Sequence, residues 1–96
     1  MAIRPEANVD PNAIKAMHQK VRQIREEIEG VSRQMKQGID TLYNSGHRDQ
    51  KFDELRGRVD ESEDDMKSLM RFMDSYTNYL QQQEKIIREY LNTKSL

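Results

Sequence analysis

Apolar residues recur at alternating three- and four-residue intervals through two long stretches of the chain. This heptad spacing is typical of helices that pack side by side. Because only a short polar segment separates the two stretches, we expect two antiparallel helices joined by a turn. The first stripe comprises Ile14, Met17, Val21, Ile24, Ile28, Val31, Met35, Gly38 and Leu42, and the second comprises Phe52, Leu55, Val59, Ser62, Met66, Leu69, Met73, Tyr76, Leu80, Gln83, Ile87 and Tyr90.

Local signals place the ends of these helices. Asp10 followed by Pro11 is typical of a helix start, because aspartate caps free N–H groups and proline lacks the N–H that the first turn leaves unpaired. The segment Asn44, Ser45 and Gly46 reads as the turn, since glycine readily adopts the left-handed conformation found after helices. We therefore predict a flexible arm over 1–10 and a helical hairpin over 11–96, with helix one at about 11–43, the turn at 44–48 and helix two at about 49–93.

The second predicted helix is longer than the first and has a wider apolar surface. Counted back from the turn, helix one should pair with helix two only to about residue 80, so that Leu80 to Leu91 project beyond it. An additional row, Phe72, Tyr79 and Ile86, runs beside the second stripe at seven-residue spacing. Helix one thus has an apolar stripe wide enough to contact one neighbouring helix, whereas the apolar surface at the end of helix two is wide enough to contact two.

The extra apolar surface predicts a partner. Soluble monomers rarely expose large contiguous apolar patches, so we expect a homodimer or a heterodimer with another helical hairpin, completing a four-helix bundle. The alternative is that these aromatic residues thicken the core of the hairpin or lie under the N-terminal arm. The predicted partner-binding residues are Phe72, Met73, Tyr76, Tyr79, Leu80, Ile86, Ile87 and Tyr90.

Composition narrows the class further. The chain has 96 residues, of which 34% are hydrophobic and 34% charged, so it suits one small coiled-coil domain better than a compact globule. A net charge of -1 gives no electrostatic case for nucleic acid. The absence of cysteine excludes disulfides and thiolate metal sites. Neither a membrane span nor a classical signal peptide is present, which predicts a cytoplasmic location and leaves signal-less export open.

The sequence contains few candidates for catalytic or metal-binding residues. His18 flanks the predicted seam and His47 lies near the turn, and neither has a metal ligand at helical spacing, so we expect both to be solvent-exposed. The acidic run from Asp60 to Asp65 lacks the glycine of a calcium loop and is interpreted as a solvated helix face. No phosphate loop, nucleophile elbow or carboxylate cleft is recognisable. We predict no enzyme activity, no metal and no cofactor.

The layout resembles the WXG superfamily of small type VII secretion proteins, the ESAT-6-like helical hairpins. Those chains have about a hundred residues, no cysteine or signal peptide, and a Trp-x-Gly turn. Here Gly46 takes the glycine place, Phe52 takes the aromatic place six residues on, and Asn44 stands where the family has tryptophan. The C-terminal Tyr-x-x-x-Asp/Glu export motif is missing, because the residues four after Tyr76, Tyr79 and Tyr90 are Leu80, Gln83 and Lys94.

The resemblance implies a non-enzymatic helical protein, either a small secretion substrate or a partner and chaperone of an exported protein. It also implies that the second member of a heterodimer could be a larger secreted protein. The alternative function is a cytosolic structural or adaptor coiled-coil protein, including a secretion chaperone or needle-type subunit of another system. The turn lacks the proline that needle subunits usually show, which favours the first interpretation.

Overall fold

The fold of the described residues, 9–94 of this computed structural model, is a two-helix hairpin. Helix α1 spans Pro11–Asn44 and helix α2 spans Gln50–Lys94. The two helices are antiparallel and no strand occurs in residues 9–94, which confirms the predicted all-α hairpin with a longer second helix. The first eight residues of the predicted N-terminal arm lie outside the described residues.

Short-range hydrogen bonds define where each helix begins. The Asp10 carboxylate oxygen Oδ1 accepts the backbone N–H of Asn12 at 2.9 Å, and Asp49 Oδ1 accepts that of Phe52 at 2.8 Å. Both are aspartate caps of helix N-termini. In the turn, Gly46 has φ of 95°, a left-handed conformation that glycine adopts without a steric penalty. The sequence signals at Asp10 and Gly46 are therefore confirmed.

The chain divides into two compact units, and each helix contributes to both. The unit that we call the terminal unit combines the described start of the chain, up to Ile24, with the described end from Met73. The unit that we call the turn unit comprises Arg25–Phe72. Each unit therefore consists of one stretch of α1 and one stretch of α2.

In the terminal unit, the buried row of α1 differs from the predicted one. Met17 is 50% exposed and Ile24 is also exposed, whereas His18, which was not predicted, is buried together with the predicted Val21. The prediction that Met17 and Ile24 lie in the seam was therefore wrong. On α2, the predicted Leu80 and Ile87 are buried, and Thr77 is buried instead of the predicted Tyr76; Gln83 and Glu84 are both half-buried.

The turn unit shows the same difference. Ser32 on α1 and Met70 on α2 are buried, whereas Val31, Leu55 and Leu69, which the periodicity placed in the seam, are exposed. Each helix has two adjacent rows that satisfy the same three-and-four spacing, because neighbouring residues differ by only about 100° around the axis. Periodicity selects the broad apolar arc, but it does not decide which edge of that arc faces the other helix.

The predicted overhang is also wrong. Asn12 near the start of α1 is hydrogen-bonded to Arg88, so the two helices are paired well beyond residue 80. Side chains tilt towards the N-terminus of their own helix, so contacting residues in antiparallel helices lie further along both chains than a count of Cα positions suggests. Leu80 and Ile87 accordingly belong to the core of the terminal unit.

Candidate functional site

A chain of polar contacts joins α1 to α2 in the terminal unit. His18 Nε2 lies 2.8 Å from Glu84 Oε1, Arg88 Nε donates to Glu84 Oε2 at 2.8 Å, and Arg88 Nη2 donates to Asn12 Oδ1 at 2.9 Å. The hydrogen bonds from His18 and then Arg88 lower the pKa of Glu84. The prediction that His18 is solvent-exposed was wrong, because its partner is on the other helix and is not visible from spacing along α1.

The role of this network is to set the register of the two helices. A buried polar side chain left without its partner is costly, so a shift of α1 along α2 would break the contact between His18 and Glu84 at a penalty. His18 Nδ1 is buried without a hydrogen-bond partner. No group of three or more potential metal ligands occurs among residues 9–94.

An exposed apolar face covers one side of the terminal unit. Met17 directly precedes the buried His18 on α1, and Tyr76 directly precedes the buried Thr77 on α2; Ile24 and Tyr90 follow them at heptad spacing, seven and fourteen residues on. Because the helices are antiparallel, residues in this relation lie on the same side of the pair. The outer row of α2, which includes Tyr79, widens this side. The face comprises Met17, Ile24, Tyr76, Tyr79, Ile86 and Tyr90, and every one of these side chains is exposed.

Two tyrosines give this face a defined shape. The rings of Tyr76 and Tyr79 are stacked, with centroids 5.8 Å apart and an interplanar angle of 25°. Tyr79 is 52% exposed and Ile86 is 53% exposed, so about half of each side chain remains available to a partner. Aromatic rings that are packed on one side and open on the other are common anchors of protein interfaces.

The predicted partner-binding residues divide into two groups. Phe72, Tyr76, Tyr79, Ile86 and Tyr90 are exposed, with Phe72 at the end of the turn unit. Leu80 and Ile87 are instead buried in the core of the terminal unit and Met73 is half-buried, so these three are not part of the exposed apolar face. The exposure of Met17 and Ile24 was not predicted. One signal was present in the sequence: His18 and Arg25 directly follow these two residues and form a second row with the same seven-residue spacing, which could face the other helix instead.

A second cluster lies at the turn end of the turn unit. The Tyr43 and Phe52 ring centroids are 6.3 Å apart at an interplanar angle of 36°, and this contact joins the end of α1 to the start of α2. The guanidinium carbons of Arg48 and Arg56 lie 4.2 and 5.5 Å from the centroid of the Tyr43 ring. We call Tyr43, Phe52, Arg48 and Arg56 the tip cluster. Of the predicted turn residues, Ser45 and Gly46 lie in this turn, whereas Asn44 is the last residue of α1.

Comparison with known proteins identifies the family. The WXG100 family model, described as proteins of 100 residues with WXG, matches residues 6–90. The chain belongs to the WXG100 family. No curated protein and no solved structure matches it. The resemblance inferred from the turn and the hairpin layout is therefore confirmed over most of the chain.

Membership of the WXG100 family gives a general functional assignment. The family indicates a small helical protein associated with type VII secretion, and its members are non-enzymatic secreted proteins that typically form helical-hairpin dimers. This WXG100 chain departs from the family name because its sequence contains no tryptophan. In residues 9–94, neither helix is long and apolar enough to cross a membrane.

Proposed function

We propose that this chain is a non-enzymatic partner protein of type VII secretion that docks against a second helical hairpin through the exposed apolar face of its terminal unit. The second hairpin belongs either to another copy or to a larger exported protein that this chain escorts. On this proposal the chain is made in the cytoplasm and leaves it without a classical signal peptide. The observation that carries the proposal is the exposure of apolar side chains on both helices of one unit.

The composition of the face supports a protein partner. Its side chains are large and apolar, and the two helices already bury a different set of residues between them, so the face is not needed to form the hairpin. Contiguous exposed apolar patches on soluble proteins usually mark interaction sites. Burial costs little for tyrosine at such a site, because the ring becomes covered while the hydroxyl group stays in contact with water.

The shape of the face supports a helical partner. Pockets for small molecules are concave, whereas a surface formed by two neighbouring helices presents ridges and a shallow groove between them. Exposed apolar side chains are available on both helices, with Met17 and Ile24 on α1 and Tyr79 and Ile86 on α2. The spacing of each row by seven residues matches the heptads of a second helical pair, which would pack by ridges into grooves.

The test is the association state of the full chain and of a charged variant. Tyr79→Glu with Ile86→Glu places two carboxylates in the centre of the exposed apolar face. We expect the parent chain to sediment as a dimer and this variant to sediment as a monomer with unchanged helical circular dichroism. The matched control, Asn78→Glu with Gln81→Glu, adds the same charge at exposed positions outside the face and should leave the dimer intact.

Two results would reject this proposal. One is a parent chain that sediments as a monomer when it is alone and that also forms no complex when it is co-expressed with an exported protein of the same secretion system. The other is a face variant that associates as strongly as the parent chain. Loss of helicity in the face variant would show instead that Tyr79 and Ile86 stabilise the hairpin itself, which also contradicts the proposal.

A further inference from the structure

The tip cluster contains two cationic groups on one aromatic ring. Arg48 follows the turn and Arg56 lies about one and a half helical turns into α2, yet both guanidinium groups approach the ring of Tyr43. Tyr43 is 40% exposed, and both arginine side chains are exposed. The cluster is therefore accessible to a ligand from solvent.

Neither arginine of the cluster has an anionic partner within residues 9–94. No ion pair or side-chain hydrogen bond forms between Arg48 or Arg56 and any described residue. Asp49 caps α2 and Glu54 pairs with Lys51 at 3.5 Å, and Asp40 and Asp60, which lie beside Arg56, form no ion pair with it. Each guanidinium group has five N–H donors and no acceptor, so donors remain available for a ligand.

The ring of Tyr43 limits the freedom of the two arginines. A cation held over an aromatic face is attracted to the negative charge of the π system, and the contact restricts a long side chain that would otherwise sample many rotamers. The Tyr43 ring is itself held by Phe52, a buried residue. A ligand that binds both guanidinium groups therefore loses less conformational entropy than it would on two unrestrained arginines.

We propose that the tip cluster is a binding site for an acidic peptide segment, with Arg48 and Arg56 donating hydrogen bonds to its carboxylates. Guanidinium groups pair with carboxylates through two parallel N–H···O bonds, which gives directional recognition. The site lies in the turn unit and involves none of the residues of the exposed apolar face. Its occupation is therefore independent of the docking proposed above.

The charges around the cluster favour a peptide over a nucleic acid. Asp40 and Asp60 line a shallow depression together with Arg56, and Asp53 lies in the first turn of α2. A phosphate backbone would bring many regularly spaced negative charges close to these carboxylates, and it requires a continuous basic track for compensation. A peptide with a few carboxylates can place them on the two arginines alone.

The experiment measures binding of a defined probe to the full chain. A short fluorescein-labelled peptide of alternating glutamate and glycine is titrated with the protein at low ionic strength, and anisotropy reports binding. The comparison peptide has glutamine in place of glutamate. We expect the acidic peptide to bind in preference to the glutamine peptide, and Arg48→Gln with Arg56→Gln to weaken its binding roughly tenfold, as expected for the loss of two exposed ion pairs.

Two further variants separate this site from general charge attraction. Arg22→Gln with Arg33→Gln removes the same charge from exposed positions of α1 and should leave the affinity nearly unchanged. Tyr43→Phe keeps an aromatic ring and should bind like the parent chain, whereas Tyr43→Leu should bind more weakly. Circular dichroism checks that each variant remains helical.

Several results would overturn the assignment. Absence of preferential binding to the acidic peptide would do so, as would equal weakening by the α1 control variant. A labelled single-stranded oligonucleotide that binds more tightly than the acidic peptide, and loses this binding in the Arg48 and Arg56 variant, would assign the cluster to nucleic acid instead. None of these outcomes depends on whether the chain forms a dimer.

Discussion

Ile87 is the best place to test the packing of the terminal unit, because its side chain is 0% exposed. The substitution Ile87→Ala removes three buried carbon atoms, which corresponds to about 2.4 kcal/mol of lost transfer free energy at about 0.8 kcal/mol per group. Incomplete collapse around the cavity raises the cost to about 3 kcal/mol. For a domain of this size, such a loss lowers the unfolding temperature by roughly 12–24 °C.

The adjacent residue provides a matched control. Ile86→Ala is the same chemical change one position earlier in α2, at a side chain that is 53% exposed. Its transfer cost should be about 1 kcal/mol or less, and the higher helix propensity of alanine offsets a few tenths of that. Thermal and urea unfolding followed by circular dichroism, repeated over a range of protein concentrations, measures both losses on the same scale.

Concentration separates the two roles. The loss caused by Ile87→Ala should persist at the lowest concentration, because it belongs to the hairpin itself. The loss caused by Ile86→Ala should grow with concentration if this side chain is covered by a second hairpin. Equal losses for the two variants at every concentration would show that Ile86 contributes to the core as much as Ile87 does, and would refute its assignment to the exposed apolar face.

Two further predictions concern charge and backbone. Because hydrogen bonds from His18 and Arg88 lower the pKa of Glu84, the stabilisation by Glu84 should be present above its ordinary value of 4.5 and lost as pH falls through the lowered pKa of the folded state. The difference in unfolding temperature between the parent chain and Glu84→Gln should therefore shrink on acidification, and a constant difference down to the acid end would contradict this. Gly46→Ala should destabilise by about 1 kcal/mol, because alanine is strained at a φ of 95°. Gly57→Ala, in the interior of α2 with open space around its Cα, should raise the free energy of unfolding by about 0.5–1 kcal/mol, as measured by urea unfolding. If both glycine substitutions changed the free energy of unfolding in the same direction, the left-handed conformation at Gly46 would be refuted.

The local features of this hairpin were predictable because they depend on neighbouring residues. The cap at Asp10 requires an oxygen within hydrogen-bond reach of the first free N–H groups, and the turn at Gly46 requires a residue that tolerates a left-handed backbone. The apolar arcs of both helices were equally visible, since heptad spacing is a property of each helix alone. For this reason, the sequence was sufficient to show that the row of Tyr79 and Ile86 lies outside the stripe needed to contact one neighbouring helix.

The tip cluster was not predicted, although its residues are close in sequence. Tyr43, Arg48 and Arg56 do not share a helical spacing, because the turn reverses the chain between them. The guanidinium group of Arg48 contacts the ring of Tyr43 only when α1 and α2 are paired through Phe52. To predict such a contact from the sequence, one would need to know the conformation of the turn.

By itself the sequence determined that this protein has two amphipathic helices, where they begin, where the chain turns, and which family layout it follows. Only the tertiary structure decided which edge of each apolar arc became the core. His18 is buried with its Nε2 paired to Glu84 on the opposite helix, and Met17 and Ile24 lie at the surface. Burial of a polar side chain depends on a partner distant in sequence, and periodicity along a single helix contains no information about that partner.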